Sequence, residues 1–156
     1  MKGKIKNYYH YRIRIENCKI ATKEKEDKSG KMVVVNYFEK PVTKNKLSKI
    51  YVIKHKSDVI YVGITSQAIS IRLRGGLKAS GIHGYHGYAF KNLELVDLFV
   101  FWFPEKKLQI EAIEAEIVYL VRSRTGEWPK YQTEIHFHKA TEREKRIAYL
   151  IYEMVK

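Results

Sequence analysis

Lys49-Ile50-Tyr51-Val52-Ile53-Lys54-His55 and Val59-Ile60-Tyr61-Val62-Gly63-Ile64-Thr65 are two apolar, β-branched runs separated by Lys56-Ser57-Asp58. Runs of this length and composition predict strands, and the turn residues between them predict an antiparallel hairpin. Tyr51 and Tyr61 lie ten residues apart. Across a short turn they can face each other from neighbouring strands, with both hydroxyls on one surface.

Outward from the hairpin, residues 67–78 show helical spacing through Ala68, Ile71 and Leu77, broken by Gly75-Gly76. Residues 80–88 form a Gly/His/Tyr loop. Residues 93–103 are strongly apolar and predict a third, buried strand that Pro104 stops. Residues 107–124 predict a helix, with Ile110, Ile113, Ile117, Leu120 and Val121 as its stripe and Gly126 and Pro129 beyond its end. His136-Phe137-His138 reads as extended chain. The last helix, 141–155, opens on Thr141-x-x-Glu144, a capping box, and carries Ile147, Leu150, Ile151 and Met154 as an apolar face. Upstream, the alternation around Ile13 and Ile15 and the run from Met32 to Phe38 predict two strands joined by a long charged loop, 22–31. Residues 41–48 read as a basic linker.

The expected architecture is therefore α+β. A small central antiparallel three-stranded sheet is flanked by helices, with an N-terminal β-hairpin extension (1–48), a core domain (49–132) and a C-terminal extended segment and helix (133–156).

Composition narrows the function. The chain has 156 residues, enough for one domain with its own core. Cys18 is the only cysteine, which excludes an intramolecular disulfide and a cysteine-based zinc site. No signal peptide and no apolar run of the ~20 residues that span a bilayer are visible; a cytoplasmic protein is expected. The formal charge is +13, and it is uneven. Residues 1–92 hold 20 Lys/Arg against 6 Asp/Glu, whereas residues 93–156 hold 10 against 11. Simple solubility does not call for such asymmetry; a basic face for a polyanion does.

Glu114 stands out on helical geometry alone. With Ile110 at zero and ~100° per residue, Glu114 falls at roughly 40°, inside the apolar arc, while Glu116 falls at roughly 240° and Glu111 at roughly 100°. A carboxylate on a buried face is ordinarily paired or bound to metal.

Ile50-Tyr51-Val52 and Tyr61-Val62-Gly63, followed in order by an arginine helix, a strand and a glutamate helix, resemble the GIY-YIG nuclease family over residues 49–132. Ile113-Glu114-Ala115 matches the family's glutamate signature. The resemblance implies a metal-dependent endonuclease that hydrolyses phosphodiester bonds in nucleic acid, double-stranded DNA foremost, with Mg²⁺ or Mn²⁺ held by Glu114. It implies Tyr51, Tyr61, Arg72 and Glu114 as the catalytic set. Arg72 fits the family spacing from Gly63 better than its neighbour Arg74 does. Either tyrosine, through a lowered pKa or by passing a proton onward, would activate the water. The arginine would hold the phosphate, and the cation would stabilise charge on it. Three positions depart from the pattern: Lys49 replaces the first glycine, Gly76 stands where a histidine is frequent, and Gln132 follows Pro129 where asparagine is frequent.

Lys49, Lys54, Arg74, Lys78, His83 and His86 are the expected nucleic-acid contacts. The loop around His83-x-x-His86 is read as touching DNA, and its glycines would allow close backbone approach. The alternative function is a non-catalytic nucleic-acid-binding module on a degenerate nuclease scaffold. Each residue also has a plainer reading: strand aromatics packed on a core for the tyrosines, and a salt bridge for Glu114. A homodimer through the last helix would suit a duplex that needs two cuts.

Overall fold

The computed structural model describes residues 3–81 and 85–156. Six strands form one antiparallel sheet: β1 (Tyr8–Glu16), β2 (Lys19–Glu26), β3 (Met32–Val35), β4 (Ser48–His55), β5 (Asp58–Thr65) and β6 (Leu95–Phe103). Their order is β3-β2-β1-β6-β4-β5. The helices among the described residues are α1 (Ile69–Lys78), α2 (Ile110–Thr125) and α3 (Glu142–Val155).

The mixed α and β character is as expected, but the small three-stranded sheet is not: the sheet has six strands. The N-terminal segment is no separate hairpin. β1 pairs with β6 from Tyr8↔Phe101 to Arg14↔Leu95, so the predicted extension and core share one sheet. The physical reason lies in β6, whose residues alternate between two apolar faces. Paired with β4 alone, it would leave a long apolar strand with one open row of amides and carbonyls, which β1 closes. The charged stretch read as a loop also differs. Lys19–Glu26 is a strand that pairs with β1 on one side and β3 on the other. Asn17 and Cys18, at φ 51° and 58°, make the tight turn before it. Its Lys/Glu alternation hides it, because β2 packs few apolar groups and is largely solvated.

The sheet buries apolar side chains on both faces. One face presents Tyr11, Ile13, Tyr51, Ile53, Leu98 and Val100 to Ile69, Leu73 and Leu77 of α1. The other presents Ile50, Val52, Val62 and Phe101 to α2 and α3. α1 runs unbroken through Gly75 and Gly76, contrary to the interruption expected there. α3 begins with the expected capping box: Thr141 Oγ1 accepts from Glu144 N–H, and the Glu144 carboxylate accepts from Thr141 N–H at 2.8 Å. Its buried face is Ala148, Ile151, Tyr152 and Val155, rotated from the predicted one; Ile147, Leu150 and Met154 are half-buried. That face packs on its own chain, against α2. No described helix is long and apolar enough to cross a membrane.

One ion cluster ties three strands. His10 Nδ1 lies 2.7 Å from Glu26 of β2, its Nε2 lies 2.8 Å from Asp97 of β6, and its ring stacks on Phe99. Burial alone would lower its pKa, but the two carboxylates outweigh that and raise it above the usual 6.5. The imidazolium therefore contributes stability that is complete below pH 6.5 and is lost as pH rises through the higher folded value. We expect the gap in thermal stability between wild type and His10→Gln to be widest near pH 5.5 and to narrow by pH 8.5. A gap independent of pH would show that the charge contributes nothing.

Candidate active site

β5 is the edge strand on one side of the sheet. Around such an edge, side chains from layers on opposite faces can meet. Here they do, in a cleft of about 530 Å³ lined by Tyr61 and Ile64 of β5, Arg72 of α1, and Glu111 and Glu114 of α2. Tyr85, His86 and Tyr88 form one wall, and residues 132–136 with His138 form another. That second wall is fastened to the edge strand: Gln132 Oε1 accepts from Val62 N–H and its Nε2 donates to Val62 C=O, both at 3.0 Å. One side-chain amide thus takes the place of a neighbouring strand, which gives this glutamine a structural reason to stand there.

Tyr51 lies directly opposite Gly63 in the ladder, and Tyr61 opposite Ile53. The tyrosines are diagonal neighbours on one face, with ring centroids 5.9 Å apart. A Cβ at position 63 would meet Tyr51 at 2.5 Å and Tyr61 at 2.8 Å, so glycine lets the two rings converge. The two phenols differ in access. Tyr51 is fully buried behind the cleft; its hydroxyl accepts from Arg72 Nε at 3.2 Å and shares a 2.8 Å hydrogen bond with the Tyr88 hydroxyl. Tyr61 reaches the cleft itself. Arg72 also donates from Nη1 to the Tyr85 hydroxyl at 2.9 Å. Three of its five N–H donors have no partner among the described residues.

Burial raises the pKa of Tyr51 well above its usual value, with Tyr88 adding and Arg72 opposing. Burial, then Tyr51, raise that of Tyr61 as well. Both phenols stay protonated at neutral pH, so the lowered pKa expected for a tyrosine base is absent. Glu114 goes the same way: burial, then the Glu111 charge, push it up to about 7, against the pull of His136 and Arg72. It makes no hydrogen bond or ion pair with any described residue. A half-buried carboxylate next to a second carboxylate suits a hard divalent cation, which needs only one or two carboxylates when phosphate and water supply its other ligands. No cluster of three or more His, Cys, Asp or Glu stands ready for a metal among the described residues, so a cation at Glu114 would depend on substrate oxygens.

The expected nucleic-acid contacts divide. His86 lines the cleft. Lys49 does not: it is fully buried, and its Nζ donates to the carbonyls of Lys44, Leu47 and Gln67 at 2.7–2.8 Å. It staples the 41–48 segment to β4 and has no donor to offer a phosphate. Lys54 is half-buried near the β4–β5 turn, its backbone opposite Val59 of β5 and Asp97 of β6, and does not line the cleft. Arg74 and Lys78 are exposed but line a separate groove on the other side of α1. His83 lies outside the described residues.

Tyr88 is the residue that sequence reasoning missed. It is buried between Tyr61, 5.3 Å away, and Phe90, 4.7 Å away, and its hydroxyl meets Tyr51. A Cβ at Gly76 would overlap its ring. The departure at position 76 thus has a steric cause: the ring occupies the space that a side chain would need. The paired glycines inside an otherwise regular helix were the available signal. Comparison with protein-family models, with curated proteins and with solved structures finds no match.

Proposed function

We propose that the protein is a divalent-cation-dependent endonuclease of the GIY-YIG type, acting on phosphodiester bonds of nucleic acid, with double-stranded DNA as the first substrate to test. The observation that supports this best is the gathering of Tyr61, Arg72 and Glu114, from three different elements, in one cleft around the β5 edge, with Tyr51 holding Arg72 from behind. A binding module needs cations; it has no use for a half-buried carboxylate that no described residue pairs with in the same cleft.

Arg72 would hold the scissile phosphate through its free donors while Tyr51 and Tyr85 fix its orientation. Glu114 would hold Mg²⁺ or Mn²⁺, which supplies charge stabilisation at the phosphate and the leaving oxygen. Tyr61, kept protonated, would donate a hydrogen bond to a phosphate oxygen or to the attacking water. That water loses a proton as its oxygen bonds to phosphorus and the P–O ester bond breaks, the leaving oxygen departing as an alkoxide that takes a proton from solvent. His136 and His138 line the same cleft as imidazoles able to accept the water's proton. Incubating plasmid with the protein and Mg²⁺ or Mn²⁺, with and without chelator, tests the reading. Nicked or linear product only with the cation is expected, and intact plasmid under all conditions would sink it in favour of a binding module.

Duplex binding should weaken steeply with salt. Contacts to ~5 phosphates give a log–log slope of roughly −4 to −5. A slope near zero would show that the excess charge lies away from the interface.

A further inference from the structure

On the side of α1 that carries Ser70, Arg74 and Lys78, a groove of about 420 Å³ separates that helix from β2 and the chain after β3. Four cations line it: Lys19, Lys23, Arg74 and Lys78. No acidic side chain does so among the described residues, and none of the four forms an ion pair with a described residue. Four like charges around one cavity repel one another, an arrangement that an anionic occupant relieves. The groove is also apolar. Ile20, Phe38 and Leu77 line it, Lys23 Nζ sits 5.3 Å over the Phe38 ring, and Tyr37 is 82 % exposed at the rim.

Phosphate alone does not use an apolar lining with an aromatic rim. A base with flanking phosphates uses both parts: stacking on an aromatic ring tolerates any base, and the cations track the backbone. A closed duplex presents sugar and phosphate outward and keeps its bases stacked inside, so the apolar part would stay unfilled. We propose that this groove binds an unpaired nucleotide of a nucleic-acid strand, its phosphates on Lys19, Lys23, Arg74 and Lys78 and its base on the exposed Tyr37 ring, over the apolar floor that Ile20 and the buried Phe38 provide. The inference deepens the nuclease reading by giving the substrate a single-stranded portion on the other side of α1 from the cleavage cleft. It extends from that reading, yet it can be tested without any cleavage.

Cys18 lines the groove and is the only cysteine in the chain, so its alkylation by a maleimide reports occupancy at that place. The full chain is used in chelator with three probes: a thymidine decanucleotide, a blunt duplex of equal length, and thymidine monophosphate. The decanucleotide should slow alkylation as it saturates, and should do so at lower concentration than either other probe. Arg74→Gln/Lys78→Gln changes two exposed residues, which spares the fold. It should weaken decanucleotide binding and reduce its salt slope by roughly 1.4, at ~0.7 per lost phosphate contact. Alkylation unchanged at saturating decanucleotide would overturn the proposal. Equal protection by the duplex would remove the unpaired strand as occupant, and equal protection by thymidine monophosphate would make the site one for a free nucleotide. Because cleavage is not read, protected Cys18 in a protein that never cuts plasmid would fault the nuclease reading alone.

Discussion

Glu114→Gln is expected to lower cleavage about a thousandfold or more while leaving duplex binding nearly unchanged. Loss of a carboxylate that holds a catalytic cation removes several kcal/mol of charge stabilisation, and each 1.4 kcal/mol is about tenfold in rate. The same substitution has an opposite effect on stability. The Glu114 pKa rises from the usual 4.5 to about 7 in the folded chain. Ionisation of the carboxyl therefore costs the fold nothing below pH 4.5, and that cost grows as pH rises to about 7. Above that the ionised group opposes folding by up to about 3 kcal/mol. In chelator, Glu114→Gln should melt above wild type at pH 8, and the difference should shrink toward pH 5. A variant that is more stable and inactive cannot be dismissed as misfolded. Full activity would sink the assignment, and loss through Glu111→Gln alone would move it to the neighbouring carboxylate.

Two adjacent glycines should respond in opposite directions. Gly76→Ala drives a methyl into the buried Tyr88 ring. Overpacking of this kind costs typically 1–3 kcal/mol and at times more. Taking about 3, the melting temperature should fall by roughly 6–12 °C for a chain of this size. Activity should fall with it, because displacement of Tyr88 removes a hydrogen bond from Tyr51, which in turn orients Arg72. At Gly75 an added methyl meets nothing within 4 Å. There the helix gains from alanine, and Gly75→Ala should be neutral or stabilising by up to about 1 kcal/mol. Calorimetry on the two variants decides the matter, and equal melting temperatures would show that position 76 has room the structure denies it.

The local elements of the core and its candidate residues were legible in the sequence because each depends on neighbours in the chain. The β4–β5 hairpin follows from two apolar runs and a turn, the α3 capping box from Thr141 and Glu144, and the anomalous Glu114 from helical period alone. The number of strands was not legible. Which strand closes β6 is a choice among distant partners with the same alternating pattern, and β2 conceals itself behind solvated Lys/Glu pairs. Nor could charge counting tell one lysine from another. Lys49 looked like a phosphate ligand, yet its ammonium is spent on three backbone carbonyls; Arg72 and Arg74 differ only in the side of α1 from which they project. Tyr88 waited on tertiary structure for the same reason. Its place between Tyr61 and Phe90 is defined by a helix and two strands that meet only when the sheet is assembled, and side-chain contact across such distances in sequence is set by packing, not by period.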